Sequence, residues 1–226
     1  MGSGRLAGKR VLVTSADSFM GPPIVELFEE EGAEVVADPS PLLDPDEPAA
    51  LVERCGPLDV LVANLDLPAY GARVSDIEDD RFIEGFDAMV HPLMRLVRAV
   101  APEMTSRGAG SIINMGSSSP LRRMRPYATS YVAARAAQNA FIRSAGHELA
   151  RAGVRCNGIA QNYVANPVYY PPEVLANPTF QERLAVDVPA GRVGDPVETA
   201  ELALFLAGDN AGFIFGQIIS NDGGWS

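Results

Sequence analysis

The sequence has few of the residues that build metal centres and disulfide frameworks. It holds only two cysteines, Cys55 and Cys156, which lack C-x-x-C spacing, and only two histidines, His91 and His147. Because a structural zinc site uses Cys and His ligands in characteristic spacings, this small and scattered set excludes one. We expect both thiols to be ordinary buried or surface side chains.

Positive charge and long apolar runs are also scarce. The chain has 18 Lys and Arg residues against 29 Asp and Glu residues, which gives a formal net charge of −11. Since nucleic acids and anionic membranes attract positive surfaces, we expect neither as a partner. No apolar run approaches the roughly 20 residues of a membrane span, and the N-terminal segment lacks the apolar stretch of a secretory signal. The composition predicts a cytoplasmic protein and leaves small-molecule substrates open.

Short apolar segments alternate with helix-like segments along the 226 residues, a length that fits one domain. The predicted strands are residues 10–14, 34–38, 58–64, 110–115, 154–160 and 214–219. The predicted helices are residues 23–32, 47–55, 82–104, 131–152 and 197–207, with a kink expected at Pro92. This order implies an α/β fold with a doubly wound, Rossmann-like parallel sheet, whose ligands bind at the carboxyl ends of the strands.

Residues 161–190 interrupt this alternation. Five prolines lie in the segment: Pro167, Pro171, Pro172, Pro178 and Pro189. We therefore expect one Rossmann-like domain over residues 1–226, in which residues 161–190 form a loop insertion over the substrate or halide site.

A tyrosine and an arginine stand four positions apart at the start of the alanine-rich helix. Tyr131 and Arg135 therefore share one helix face, where a cation favours the phenolate form of a phenol and suits it to act as a general base. A surface Tyr/Arg pair is the ordinary alternative. A serine cluster, residues 116–119, follows a predicted strand, where a hydroxyl can hold a substrate oxygen, although such clusters also form turns and helix caps.

Taken together, these motifs make the chain similar to the short-chain dehydrogenase/reductase superfamily over nearly its whole length. The matching features are the turn at residues 14–21, Asn64, a serine after the strand at residues 112–115, a Tyr-x-x-x-basic pair and the segment 222–224. The resemblance implies the fold predicted above and an ancestral nicotinamide cofactor.

The turn at residues 14–21 departs from that superfamily. Its glycines normally let the backbone approach the cofactor pyrophosphate, but here Ser15 and Phe19 replace two of them. Pro22 and Pro23 remove amide donors from the following helix start. The superfamily's lysine is Arg135, and its Pro-Gly after the next strand is Gln161-Asn162.

This combination resembles the halohydrin dehalogenases, which exchange the nicotinamide site for a halide site. Their Ser-Tyr-Arg triad carries over to Ser117, Tyr131 and Arg135. The strand end selects Ser117, whereas the family's usual thirteen-residue distance from the tyrosine selects Ser118; we prefer Ser117. Tyr131 is then the base, Ser117 orients the substrate oxygen, and Arg135 holds the phenol ready to ionise.

The same resemblance implies a halide site and no cofactor. The loop Gln161, Asn162, Tyr163 and Val164 is expected to supply N–H groups, with Phe19, Pro68 and Tyr170 as apolar walls. The alternatives are that Phe19 is a core residue and that Tyr170 belongs to a rigid loop.

The implied reaction converts a small halohydrin into an epoxide and halide, and in reverse opens epoxides with halide or another small anion. The family resemblance also implies a homotetramer. Two other functions stay open: an NAD(P)-dependent reductase with a divergent loop, and a non-catalytic binding protein.

Overall fold

The structure, a computed structural model, describes residues 4–122 and 127–226. Within these residues six strands form one parallel sheet in the order β2-β1-β3-β4-β5-β6. The strands are β1 (Arg10–Thr14), β2 (Glu34–Asp38), β3 (Val60–Asn64), β4 (Gly110–Ser117), β5 (Val154–Gln161) and β6 (Ile218–Asn221). The predicted doubly wound parallel sheet is confirmed.

Helices cover both faces of this sheet. They are α1 (Gly21–Glu30), α2 (Glu47–Cys55), α3 (Asp79–Arg107), α4 (Thr129–Leu149), α5 (Pro172–Leu175), α6 (Pro178–Asp187) and α7 (Pro196–Ala207). Side chains of α1 and α7 fill one core with the sheet, and side chains of α2, α3 and α4 fill the other. Among the described residues, no helix is long and apolar enough to cross a bilayer.

Several element bounds differ from the sequence prediction. The helix α3 includes Pro92, as predicted, but it is three residues longer at each end than the predicted helix over residues 82–104. The last strand starts at Ile218 instead of residue 214, because Gly216 has φ 63° and approaches α4 so closely that a Cβ would lie 3.1 Å from the Arg143 carbonyl oxygen. Residues 214–217 therefore fold against α4 before the extended strand begins.

The carboxyl ends of the central strands meet at one edge of the sheet. Ser117 of β4 is in register with Gln161 of β5, which is in register with Asn221 of β6. On the other side, the Thr14 hydroxyl of β1 accepts a hydrogen bond from the Asn64 backbone N–H at 3.1 Å. This edge brings the predicted site residues together, as parallel α/β sheets generally do.

Candidate active site

A cavity of about 180 Å³ lies at this edge, above the ends of β4 and β5. Eight of the predicted site residues line it: Phe19, Ser117, Tyr131, Gln161, Asn162, Tyr163, Val164 and Tyr170. Arg135 is fully buried behind Tyr131, whereas Pro68 lies on the exposed part of its loop and the next residue, Ala69, reaches the cavity. The fold therefore brings eight of the ten predicted site residues to one cavity.

Tyr131 projects into the cavity from the first turn of α4. The Arg135 Nε–H, one turn along the same helix, donates to the Tyr131 hydroxyl at 3.1 Å. The guanidinium carbon also lies 5.1 Å from the centroid of the Tyr131 ring. A fixed cation beside a phenol oxygen stabilises the phenolate, so this geometry equips Tyr131 to accept a proton.

Arg135 is held by partners from several elements. Its Nη2 lies 2.6 Å from Asp66 Oδ1, and this ion pair is nearly buried, with side-chain exposures of 0% and 10%. Its Nη1 donates to the Leu65 and Met115 carbonyls and to Gln138 Oε1. Burial alone would lower the pKa of the guanidinium, but Tyr131 and Asp66 raise it above its ordinary value. Arg135 is therefore a permanently charged group aimed at one phenol.

The serine cluster offers two hydroxyls to the cavity. Ser117 and Ser119 both line it, with their oxygens 2.6 Å apart, and the Ser119 N–H donates to Ser117 Oγ at 3.1 Å. Ser118 is fully buried, donates to the Ala160 carbonyl at 2.7 Å and is not part of the cavity wall. The geometry favours Ser117 over Ser118 and adds Ser119, which the sequence analysis did not single out.

In the turn after β1, two residues that are not glycine have a backbone conformation that favours glycine. Ser15 has φ 43° and Phe19 has φ 52°, a left-handed region that L side chains seldom adopt. The Asn64 side-chain amide stabilises the turn by donating to the Ser15 and Ser18 carbonyls, each at 3.0 Å. The Phe19 ring is buried and packs edge-on against Tyr169, with ring centroids 6.4 Å apart. A side chain therefore occupies this corner of the site.

The fold implies a nicotinamide dinucleotide, whose pyrophosphate would need N–H donors at the start of α1. The Gly21 N–H is already donated to the Ser18 carbonyl at 2.8 Å, and the Ile24 N–H to the Met20 carbonyl at 3.3 Å. Pro22 and Pro23, which lie between them, have no N–H. The residues present at this helix start do not fit the phosphate groups of a dinucleotide.

The loop after β5 has one backbone N–H without an acceptor among the described residues. Tyr163 has φ 52°, and its N–H is donated to Asn162 Oδ1 at 2.9 Å. The Asn162 N–H makes a longer bond, 3.4 Å, to the Asn221 carbonyl. Within the described residues, the Val164 N–H has no acceptor, although Val164 is buried in the cavity wall. Of the N–H groups of residues 162–164, that of Val164 is therefore the one left to bind a ligand.

Besides Ser119, three further residues outside the predicted set belong to the site. Asp66 holds Arg135, as described above, and Tyr169 and Trp225 line the cavity. Trp225 is placed by Asp222, whose carboxylate accepts the N–H groups of Trp225 and Ser226, and by Arg122, whose guanidinium lies 5.3 Å from the indole centroid. Trp225 follows directly on the Asp-Gly-Gly motif in the sequence, which was the signal available for it.

Comparison with known proteins gives relatives of two kinds. Oxidoreductase UcpA of Escherichia coli is 30% identical over 252 residues, covering 98% of this chain and 95% of that protein. The 2,5-dichloro-2,5-cyclohexadiene-1,4-diol dehydrogenase LinX of Sphingobium indicum is 32% identical over 255 residues, covering 98% of each. A solved structure described as a dehalogenation enzyme has 33% identity and a TM-score of 0.89, covering 98% of this chain and 99% of that chain.

Two further matches concern the fold and the family. The halohydrin dehalogenase HheC, solved with ethyl (2S)-oxiran-2-ylacetate, has a TM-score of 0.88 over 95% of this chain and 96% of that chain; its 24% identity shows a shared fold alone. The family model described as Enoyl-(Acyl carrier protein) reductase matches residues 48–226. The chain therefore belongs to this family, within the short-chain dehydrogenase/reductase superfamily of enzymes.

Proposed function

We propose that the protein is a cofactor-independent halohydrin dehalogenase, which closes vicinal halohydrins to epoxides and opens epoxides with halide or another small anion. One observation carries the proposal. An arginine-bound tyrosine and a serine remain in the cavity, while Phe19 and the proline-blocked start of α1 occupy the corner that a dinucleotide would need. The similarity to a structure described as a dehalogenation enzyme, at 33% identity, supports a dehalogenation reaction.

In the proposed reaction Tyr131, as the phenolate, takes the proton of the substrate hydroxyl. The oxygen then attacks the neighbouring carbon, the carbon–halogen bond breaks, and halide leaves with the bonding electron pair. Ser117 donates a hydrogen bond to the substrate oxygen and orients it, which favours the attack geometry. Arg135 stays charged throughout and keeps the Tyr131 oxygen in place at 3.1 Å.

The leaving halide is received by the loop of Gln161, Asn162, Tyr163 and Val164. The Val164 N–H is the available donor, and the aromatic rings of Phe19 and Tyr170 line the same cavity as apolar walls. A preset dipole in a site that excludes water stabilises charge that develops in the transition state. The cavity volume of about 180 Å³ suits a small halohydrin. In the same proposal the enzyme is a cytoplasmic homotetramer.

The second candidate is an NAD(P)-dependent reductase. It is favoured by the names of the relatives UcpA and LinX, an oxidoreductase and a dehydrogenase. The start of α1 counts against it, because Gly21 and Ile24 have already donated their N–H groups and Pro22 and Pro23 have none. A non-catalytic binding protein would have no need for a buried ion pair that holds Arg135 against a cavity-lining phenol.

Halide binding can be measured directly through Trp225. This residue is the only tryptophan in the sequence and lines the cavity with 7% of its surface exposed. Because bromide and iodide quench indole fluorescence on contact, we expect each of them to quench Trp225 along a saturating curve in the absence of substrate. The titration is run at constant ionic strength, with sulfate as the balancing anion.

The urea-unfolded protein is the control, since it retains the indole but loses the cavity. In that state quenching should rise linearly with bromide and never saturate. A folded protein whose quenching is likewise linear would show that Trp225 meets halide only by collision, and it would remove the proposed halide site.

A further inference from the structure

We propose that the Tyr169 hydroxyl is a positioning group for Tyr131, which stabilises the Tyr131 phenolate by turning its hydrogen bond toward it. This inference rests on the proposed function, in which Tyr131 is the base. Tyr169 lies in the loop after β5, far from α4 in sequence, and lines the cavity beside Tyr131.

Contacts connect the Tyr169 and Tyr131 phenols to the same ion pair. The Tyr169 hydroxyl donates to the Leu67 carbonyl at 2.9 Å and lies 3.5 Å from Asp66 Oδ1. The same Asp66 oxygen is 2.6 Å from Arg135, whose Nε donates to the Tyr131 hydroxyl. The two phenols thus lie around a single ion pair and line the same cavity.

The state of Tyr169 suits it to be a donor. Burial, with the neighbouring Tyr131 and Asp66 adding to it, raises the pKa of the Tyr169 phenol above its ordinary value. Tyr169 therefore keeps its proton wherever the enzyme works, while its ring is fixed edge-on against Phe19. What can change is the direction of its O–H bond.

This gives two hydrogen-bond arrangements without any proton moving between the phenols. When Tyr131 is neutral, the Tyr169 O–H donates to the Leu67 carbonyl, as it does in the structure at 2.9 Å. When Tyr131 is a phenolate, the Tyr169 O–H rotates and donates to it, because a charged acceptor makes a stronger bond than a carbonyl. The phenolate then accepts two donors, the Arg135 Nε–H and the Tyr169 O–H.

In the described part of the chain, three titratable or charged groups face the Tyr131 hydroxyl or act on it through a partner. Arg135 lies on its own helix, Asp66 lies in the loop after β3, and Tyr169 lies in the loop after β5. Arg135 and Asp66 form a pair of opposite charges, which leaves Tyr169 as the neutral group whose hydrogen bond can follow the charge of Tyr131.

The test is the variant Tyr169→Phe, which keeps the ring and removes only the hydroxyl. We expect the acid limb of the kcat profile for halide release to move upward by about one pH unit, a tenfold loss on that limb. The alkaline plateau should stay near the wild-type value, and KM should change little. Tyr70→Phe is the matched control: Tyr70 lies outside the cavity, so its profile should match the wild type.

A loss of activity that is equal at every pH, or an unchanged profile, would overturn the proposal, because either would mean that the hydroxyl does not act on Tyr131. A second readout does not depend on turnover. The ultraviolet absorbance of tyrosinate, titrated in wild type and assigned with Tyr131→Phe, should show Tyr131 ionising at higher pH in Tyr169→Phe. If wild type releases no halide, the proposed function fails, and this titration alone decides whether Tyr169 acts on Tyr131.

Discussion

Replacing Tyr131 with phenylalanine is expected to lower the rate of halide release by roughly 10²–10⁴-fold, the usual contribution of a general base. The substitution removes one oxygen and keeps the ring, whose face lies 5.1 Å from the Arg135 guanidinium. The α4 helix and the cavity wall should therefore stay in place. The measurement is initial-rate halide release from a small vicinal halohydrin, with thermal unfolding as the check on the fold.

The outcome that would contradict this prediction is halide release by Tyr131→Phe at the wild-type rate. Such a result would remove Tyr131 as the base and would leave the Arg135 contact at 3.1 Å without a catalytic purpose. The Tyr70→Phe control separates this effect from a general effect of losing a phenol.

Replacing Asp66 with asparagine is expected to lower the free energy of unfolding by about 3–5 kcal/mol, because it leaves the buried Arg135 charge without its counter-ion. The pair is 2.6 Å apart and the arginine side chain is fully buried, so water cannot compensate for the lost charge. Asparagine has nearly the same shape, which limits the change to electrostatics. Urea unfolding at constant pH measures the effect.

Asp209→Asn provides the matched control for this variant. Asp209 pairs with Lys9 at 3.2 Å, but its side chain is 87% exposed. Exposed ion pairs contribute at most about 1 kcal/mol, so the control should unfold close to the wild-type midpoint. Equal unfolding of Asp66→Asn and wild type would mean that Arg135 finds another counter-charge.

Much of the fold could be predicted because its strands are short, buried and punctuated by turns. The bounds of β1 and β2 match the prediction, since apolar runs ending at Thr14 and Asp38 allow little freedom. The helix α6 was not predicted, because its prolines indicated a loop. Its start is nonetheless encoded: Asn177 caps the helix by accepting the Thr179 and Phe180 N–H groups, and Pro178 occupies the first turn.

The candidate site was likewise predictable only where its contacts are local in sequence. Tyr131 and Arg135 could be paired from sequence because they lie one helical turn apart, and their hydrogen bond is local. Asp66 and Tyr169 come from loops after different strands and meet Arg135 and Tyr131 only through the tertiary fold. Likewise, the choice between Ser117 and Ser118 depended on which hydroxyl turns inward, a property of the folded chain and not of spacing.

The first turn shows what sequence and structure each contribute. The loss of glycine at Ser15 and Phe19 was visible in the sequence and predicted a damaged cofactor site. The structure supplies the physical reason at the start of α1: the Gly21 and Ile24 N–H groups bond within the turn, and two prolines lie between them. The missing glycine motif therefore goes together with N–H groups at the helix start that are absent or already hydrogen-bonded.

The most direct measurement is halide release from a small vicinal halohydrin by purified protein, with no nicotinamide added and epoxide formation followed in parallel. We expect equal amounts of halide and epoxide, a rate unchanged by NADH or NADPH, and no heat of binding for either in calorimetry. Tight binding of NADH or NADPH without halide release would contradict it and would favour a reductase.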